Sequence, residues 1–315
     1  MSQNSVLLAV SAPPYWHCGR TIQNASITTL IALLPAAIMA ILQWGMPAAR
    51  VMALAVATGV VVEYLCSRMM HREAEIDDFS TVVSCLLFAF LLPAAAPWWL
   101  VIFGAVLCIS LGKMAFGGLG ANPINTAIVG WAMLYVSWPT FMEPNAMQLH
   151  TDLVDPLVRL KFFGAAAVAD MPILDLALGK QIGGLGASQA GALLLGGAFL
   201  AARGVIRWEI AASFLLGVAT TAAAFYMIDP SQYAMPQFHL LTGSTILGAF
   251  FLATEWSTSP GRQVPMVLYG VVGGILVMII RIYGIYPDGV PFAIMLINLL
   301  APLFDSIHPK PFGVK

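Results

Sequence analysis

Charged side chains are scarce in this chain. Lys, Arg, Asp and Glu together make up 9% of its 315 residues, whereas hydrophobic residues make up 60%. Soluble domains carry about a quarter charged residues, so the composition predicts an integral membrane protein. The formal net charge of −1 lacks the positive excess that nucleic-acid binding requires, and no nucleic acid is expected as a partner.

Motifs of soluble enzymes are also missing. There is no P-loop, no dinucleotide-binding glycine fingerprint and no Ser-His-Asp spacing, which argues against a self-contained ATP-driven pump, and no catalytic residue is assigned. The cysteines show no CxxC spacing, so no metal site built by this chain alone is expected. They are Cys18, Cys66, Cys85 and Cys108. The simplest interpretation is that they are small buried hydrophobic residues. Cys85 and Cys108 leave open a cluster shared with a partner protein.

The first 26 residues lack the apolar core and cleavage site of a signal peptide, so the first membrane helix is expected to act as an uncleaved signal. Ten apolar segments follow, at about 27–44, 50–66, 80–95, 97–114, 123–138, 187–202, 207–227, 237–253, 264–282 and 289–305. Several are shorter than the ~20 residues of a straight span, and the third and fifth are the shortest. Short or interrupted helices are typical of a binding site near the membrane midplane.

The segments form two sets of five. The predicted organisation is a cytoplasmic segment 1–26, a first membrane half 27–138, an exterior loop 139–186, a second membrane half 187–305 and a cytoplasmic tail 306–315. An odd number of helices per half inserts the second half upside down. Lys113 and Pro123 recur as Arg281 and Pro291 at one common offset, which favours an inverted repeat; coincidence between two Gly/Pro-rich segments is the alternative.

The distribution of Lys and Arg predicts the orientation. With the N-terminus in the cytoplasm, the short outside loops hold only Arg50 and Arg281. The inside then holds Arg20, Arg68, Arg72, Lys113, Arg203, Arg207, Arg262, Lys310 and Lys315. The positive-inside rule therefore predicts that both termini are cytoplasmic. The long loop 139–186 counts less in this rule and would face the periplasm or an equivalent exterior.

The segment with the most unusual composition is Lys113-Met-Ala-Phe-Gly-Gly-Leu-Gly-Ala-Asn-Pro-Ile-Asn125. Glycine permits close approach of the backbone, Asn amides donate and accept hydrogen bonds, and proline interrupts a helix. Irregular backbone at membrane depth is found where it is buried in protein or lines a cavity. We therefore expect a site for a flat polar ligand or an ion here; a tight Gly-rich turn is the alternative. The candidate residues are Lys113, Gly117, Gly118, Gly120, Asn122 and Asn125.

Other polar clusters have two interpretations each. Asp77-Asp78-Phe-Ser80-Thr81 is typical of helix capping, with ion uptake as the alternative. In the second half, hydroxyls and carboxylates suggest a polar site, whereas hydroxyls in membrane helices also bond to the preceding turn. The residues of this second-half site are Thr242, Thr254, Glu255, Thr258 and Asp288. Asp288 also fits ordinary turn chemistry, a helix cap, or a partner for the intramembrane Arg281.

These motifs resemble those of a known family. Residues 97–129 resemble the matching segment of the D subunit of the Rnf electron-transport complex and, more distantly, the B subunit of the sodium-pumping NADH:quinone oxidoreductase. Similar matches are Leu-Gly-Ala-Phe-Phe-Leu-Ala-Thr254-Glu255-Trp-Ser-Thr-Ser-Pro260, Tyr286-Pro-Asp288-Gly-Val-Pro-Phe-Ala, Gly183-Gly-Leu-Gly-Ala-Ser-Gln-Ala and, loosely, Ser11-Ala-Pro-Pro-Tyr-Trp-His17-Cys-Gly19-Arg. The resemblance covers nearly the whole chain, and the Gly-Asn segment is its most specific part.

The resemblance implies a membrane subunit of an ion-translocating ferredoxin:NAD oxidoreductase in the bacterial inner membrane, not active alone. It implies an all-α fold of about ten transmembrane helices in two inverted five-helix repeats, similar to urea and ammonium channels. Its partners would be the other Rnf membrane subunits, a flavin-bearing periplasmic subunit and lipids. It also implies flavin: FMN bound covalently to an outer-loop threonine, and a noncovalent riboflavin or FMN at the Gly-Asn segment, which here includes Asn122 and Asn125. Whether Na⁺ or H⁺ moves is not implied.

The sequence departs from the family pattern in three places. Between 139 and 186 the hydroxyl side chains are Thr140 and Thr151, and neither lies in the Ser/Thr-Gly-Ala-Thr motif that carries the covalent flavin. Leu185-Gly-Ala-Ser188 mimics the motif but belongs to the opening of the sixth segment. Glu255-Trp256 replaces the usual Asp-Pro, and Thr126 a usual Pro. We therefore expect noncovalent flavin, with no covalent FMN. A flavin-free structural subunit and a channel-like transporter of a small solute are the competing functions.

Overall fold

The computed structural model describes residues 21–71, 76–143 and 155–307. Helices and loops account for these residues, and no strand occurs among them. The N-terminal motif at 11–20, the motif position Thr151 and the tail beyond residue 307 lie outside the described ranges, as do Arg72, Lys310 and Lys315.

All ten apolar segments are helical. The first half contains α1 Ile22–Trp44, α2 Met46–Met69, α3 Ser80–Leu91, α4 Trp98–Ser110 and α5 Thr126–Ser137. The second half contains α6 Ala190–Ala202, α7 Trp208–Ile228, α8 Pro236–Leu241, α9 Gln263–Tyr283 and α10 Val290–Asp305. The first helix begins at Ile22, before the predicted boundary at residue 27. Thr21 caps it, because its hydroxyl accepts a hydrogen bond from the Asn24 amide at 3.1 Å.

Among the described residues, five helices are long and apolar enough to cross a membrane. They are Ile22–Trp44, Met46–Met69, Trp98–Phe116, Trp208–Ile228 and Gln263–Tyr283. The chain is thus a multi-pass membrane protein. α3 and α5 have 12 residues each, so these two segments are short, as expected. They are not the shortest, because the eighth segment begins with a helix of only 6 residues. Ten full crossings remain a prediction.

The eighth segment is broken, and its prediction as one continuous run from 237 to 253 is wrong. α8 ends at Leu241, and the chain continues as a short turn Thr245–Leu247 and a π-helix Gly248–Leu252. The break lies at Gly243, whose φ of 64° is in the left-handed region that favours glycine. Ser244, the next residue, is bound through its amide and hydroxyl to Asp288, 44 positions along the chain. This long-range contact is not visible in the hydropathy pattern.

In each half, the second helix packs on the fourth. α2 packs on α4, α7 packs on α9, and α1 of the first half meets α6, the first helix of the second half. The α7–α9 approach depends on small residues: a Cβ added at Gly274 would lie 2.6 Å from the Val218 amide nitrogen. The two halves also meet where α5 packs on α10.

The loop between the halves is partly helical. It contains short helices Pro139–Met142, Pro156–Phe163 and Ile173–Ala177. An apolar cluster packs it on α8 and the chain before it, and its members are Leu157, Val168, Leu176, Ala234 and Phe238. The end of the membrane domain where α8 begins is therefore covered by the chain's own loop.

Candidate functional site

A cavity of about 430 Å³ lies where several helix ends converge. The starts of α1, α3 and α5 contribute to its wall, together with the end of α6 and residues 250–257 after the π-helix. Its lining includes Ser26, Ser84, Gly120, Asn125, Phe250 and Glu255. If all ten helices cross the membrane in alternating directions, these ends lie on one membrane face, which the Lys/Arg distribution predicts to be cytoplasmic.

The glycines of the Gly-Asn segment are required by the backbone. Gly117, Gly118 and Gly120 have φ values of 114°, 104° and 87°, which side-chain-bearing residues rarely adopt. A Cβ at Gly118 or Gly120 would meet no atom within 4 Å. Tight helix packing therefore does not explain these two glycines. They shape an irregular turn, and Gly120 lines the cavity.

The two asparagines hold this turn against the second half. Asn125 caps α5 by accepting from the Ile128 amide at 3.2 Å, and its Nδ2 donates to the Leu252 carbonyl at 3.2 Å. Asn122 donates to Glu255 Oε1 at 3.5 Å. Both side chains are buried. Since these bonds cross from one half to the other, the cavity lies at the interface between the halves.

Lys113 lies beside the cavity but does not line it. Its ammonium donates to Glu63 Oε1 at 2.5 Å, Ser80 Oγ at 2.7 Å and Thr81 Oγ1 at 2.9 Å. Lys113 and Glu63 are each 3% exposed. All three protons of the ammonium are thus used within the protein, and Lys113 reaches the cavity only through Ser80, which lines it.

Ser80 also connects this ion pair to Asp78. Asp78 Oδ1 accepts from the Ser80 amide at 2.9 Å and from its hydroxyl at 2.8 Å. This contact satisfies a free N–H at the start of α3, as the capping interpretation requires. We call Glu63, Lys113, Ser80, Thr81 and Asp78 the lysine cluster.

Arg281, which the predicted topology places at the other membrane face, forms a similar cluster. Its guanidinium donates to the carbonyls of His239 and Thr242 at 2.8 and 3.0 Å. It also donates to Thr245 Oγ1 at 2.8 Å and to Asp288 Oδ1 at 3.3 Å. Asp288 in turn binds Ser244, so it acts as the ion partner of Arg281 as well as part of a turn. In both clusters a basic residue at the end of a long helix binds the hydroxyl of a Ser-Thr pair.

The second-half residues predicted as one polar site belong to separate places. Thr242 and Asp288 lie in the cluster around Arg281, whereas Thr254 and Glu255 line the cavity. Thr242 and Thr254 donate their hydroxyls to the carbonyls of Phe238 and Phe250, which is the ordinary bonding to the preceding turn. Thr258 lines a second groove, which shares Ser257 with the cavity. The break in the eighth segment explains the separation.

Sequence reasoning did not identify Glu63, and it did not predict that the first helix contributes to the cavity wall. Glu63 is a carboxylate within the apolar run 50–66, and an ionisable residue at membrane depth is by default a functional hypothesis with a nearby partner. That rule alone would have identified it. No such signal marks Ser26, Ser84 or Phe250, because the lining of a cavity depends on tertiary packing.

Among the described residues, Cys85, Cys108 and Ser188 occupy ordinary positions. Cys85 on α3 and Cys108 on α4 are fully buried in the apolar core. Ser188 is 1% exposed, and its hydroxyl donates to the Gly184 carbonyl at 3.1 Å. In the part of the chain that the structure describes, no three His, Cys, Asp or Glu residues form a metal site.

Comparison with known proteins identifies the family. The profile of the NQR2, RnfD, RnfE family matches residues 9–313. The chain belongs to this family. It is 35% identical to the D subunit of the Na(+)-translocating ferredoxin:NAD(+) oxidoreductase complex of Acetobacterium woodii over 315 residues, covering 99% of this chain and 97% of the relative. It is 33% identical to the D subunit of the ion-translocating oxidoreductase complex of Salmonella typhimurium, covering 98% of this chain and 99% of the relative.

The same protein from Salmonella paratyphi B is also 33% identical over 355 residues. These relatives of the NQR2, RnfD, RnfE family are each named as a subunit of a larger complex. Because the match extends over almost the full length of both chains, the cavity and both charge clusters lie within the region shared with them.

Proposed function

We propose that this chain is the membrane subunit of an ion-translocating ferredoxin:NAD oxidoreductase complex and carries a noncovalent flavin. The names of its relatives support the first part. The chain would work as part of a hetero-oligomer with other Rnf membrane subunits and a flavin-bearing periplasmic subunit, surrounded by lipid. It would lie in a bacterial inner membrane with both termini in the cytoplasm.

The cavity carries the flavin proposal. Its volume of about 430 Å³ lies within the roughly 300–1,000 Å³ of small-molecule sites. Its wall combines apolar surface with hydroxyl and amide groups, which suits a flat ring with polar edges. None of the described residues that line it is Lys, Arg or His, while one carboxylate, Glu255, is present. A phosphate would therefore find no cation, so riboflavin fits this site better than FMN.

Two parts of the wall would hold such a ring. Phe250 and Leu119 offer apolar surface, and Gly120 allows the backbone to approach closely. Asn125 and Ser84 supply hydrogen-bonding groups. A bound flavin would supply reversible electron transfer, while the protein positions it and sets its surroundings.

The two charge clusters support the inverted repeat. Phe79 and Gly243, each with positive φ, precede Ser80-Thr81 and Ser244-Thr245. Lys113 and Arg281 then bind these Ser-Thr pairs from the ends of the fourth helices of their halves. We propose that the clusters are equivalent positions of two five-helix units inserted with opposite orientation.

Blocking the cavity tests the flavin proposal. Ser84→Phe places a bulky ring in the cavity, whereas Ser84→Ala is the matched control at the same position. We expect the noncovalent flavin content of the purified complex to fall at least about tenfold in Ser84→Phe and to remain unchanged in Ser84→Ala. Thr29→Phe blocks the cavity from α1 and should behave alike.

The outcomes separate the competing functions. If both blocking variants assemble and keep their flavin, the flavin site is elsewhere. If the native complex contains no flavin attributable to this chain, the flavin-free structural function is supported. Solute flux through the purified chain in liposomes would instead support a channel-like transporter. Asn122→Leu is a further test of the flavin proposal, because it removes an amide next to Glu255 without filling the cavity.

A further inference from the structure

We propose that Glu255 is the residue that exchanges protons between the cavity ligand and the cytoplasmic face. This inference rests on the proposed function, because it assigns the cavity to a redox ligand. Glu255 is the only carboxylate among the described residues that line the cavity. Its Oε1 is held by Asn122, and the side chains of Ser257 and Asn125 also lie close enough to act on the carboxyl group as hydrogen-bond partners. Its buried Oε2 makes no hydrogen bond of regular geometry among the described residues.

A second groove offers a path from Glu255 to water. This groove has a volume of about 540 Å³ and includes Ser257, Thr258, Asn298 and Asp305 in its lining. Ser257 lines both the cavity and the groove. The loop that begins with Glu255 thus separates the two spaces, and Ser257 faces both. Asp305 is partly exposed at the end of α10, where the groove reaches the surface.

The groups along this path have unused hydrogen-bonding capacity. Thr258 Oγ1 and Asn298 Nδ2 are buried and have no hydrogen-bond partner in the part of the chain that the structure describes, while the Ser257 hydroxyl lies next to the Glu255 carboxyl group. Thr258 is 4% exposed and Asn298 is 2% exposed. Buried polar groups are normally satisfied by protein or by ordered water. Hydroxyls both donate and accept, so this row is suited to conduct protons.

Glu255 differs from Glu63, the other carboxylate nearby, because it has no ion-pair partner among the described residues. Glu63 is ion-paired with Lys113 at 2.5 Å and does not line the cavity. The titratable groups that influence Glu255 electrostatically are Lys113, Tyr269 from α9 and Cys108 from α4. The single cation among them is already paired. A buried carboxyl without a bonded cation favours its neutral form, which holds a transferable proton.

A flavin in the cavity would accept two electrons, one at a time, from a carrier such as reduced ferredoxin, and would then take up one proton. Glu255 releases this proton from Oε2 and becomes a carboxylate. It regains a proton from water in the groove through Thr258 and Ser257. Reoxidation of the ligand reverses the path.

Infrared spectroscopy of the purified complex tests the proton on Glu255 independently of turnover. We expect a carboxylic-acid band that is absent in Glu255→Gln and that exchanges in heavy water. Thr258→Val, which removes one hydroxyl of the path, should slow this exchange at least about tenfold. Ser213→Ala is the control, since that buried hydroxyl bonds to Ile210 far along the chain from the path and should leave exchange unchanged.

Flavin reduction provides the second readout. Glu255→Gln should keep its flavin content but reduce flavin at least about tenfold more slowly, since general acids typically contribute 10²–10⁴-fold, and Glu255→Asp should recover part of the rate. Absence of the Glu255 band, or native rates in Glu255→Gln with native flavin content, would overturn the assignment. Loss of flavin from the native protein would instead count against the proposed function, while the infrared result would still stand.

Discussion

Breaking the Glu63–Lys113 pair should destabilise the protein strongly. Both residues are 3% exposed, and Nζ lies 2.5 Å from Oε1. Glu63→Gln leaves the ammonium bonded to two hydroxyls but without its counter-ion. Removing one partner of a buried pair typically costs about 3–5 kcal/mol, because a charge is left uncompensated. Lys113→Met should cost a similar amount by stranding the carboxylate.

The double variant separates the ion pair from general packing. Glu63→Gln combined with Lys113→Met removes both charges, and replacing a whole buried pair is often nearly neutral. We therefore expect the double variant to lose less stability than the sum of the single variants, by roughly 2 kcal/mol or more. The measurement is unfolding of the detergent-purified protein by dodecyl sulfate, followed by tryptophan fluorescence.

The exposed pair Lys180–Asp175 is the matched control. Its N–O distance is 2.9 Å, but its side chains are 60% and 38% exposed. Such surface pairs contribute about 0–1 kcal/mol, so Lys180→Met should change little. If Glu63→Gln costs no more than Lys180→Met, or if the two lysine-cluster variants simply add, the buried pair does not hold this region together.

Three further predictions concern the loop between the halves and the topology. Burial raises the pKa of Asp155 to about 6 from 3.8, so its stabilising contribution is complete below pH 3.8 and is lost as pH rises through about 6. After allowance for partial exposure, the contribution of Asp155 is roughly 1–2 kcal/mol. The native loop should therefore be cleaved faster by a protease as pH rises through this range, and this pH dependence should be absent in Asp155→Asn. A cysteine at position 162 should react with impermeant reagents outside intact cells, whereas one at 315 should not; the reverse pattern would contradict the orientation. A denaturing gel should show no fluorescent flavin band at this chain's mass; if a band appears, Ser188 and Thr151 are the residues to replace first.

The sequence was sufficient to predict the membrane helices, because long apolar runs report directly on burial in lipid or protein. The third and fifth helices are short, as predicted. The eighth segment was predicted wrongly for a definable reason. Its hydropathy is continuous, whereas the break at Gly243 depends on Ser244 binding Asp288 from a distant part of the chain. A pattern along the chain does not contain that contact.

The candidate site was predicted in part. Gly120 and Asn125 from the Gly-Asn segment, and Thr254 and Glu255 from the second half, lie together around the cavity. Lys113 was expected at the polar edge of a ligand, but in the structure its ammonium donates three hydrogen bonds to side chains of the protein. Its partner Glu63 lies 50 residues earlier. Pairing across such a separation follows from the packing of α2 on α4, which composition does not specify.

The two charge clusters indicate which charges are fixed and which are available. Lys113 and Arg281 each bind a Ser-Thr pair, and each has a carboxylate partner at 2.5 or 3.3 Å. Moving either one would break several hydrogen bonds in a medium without water to replace them. They are therefore structural anchors that hold the short helices in place. The cavity lies beside the lysine cluster, and there Glu255 lines the wall without an ion pair among the described residues. The asymmetry between two otherwise similar clusters thus places the exchangeable charge at the loop after the π-helix, where the two halves meet.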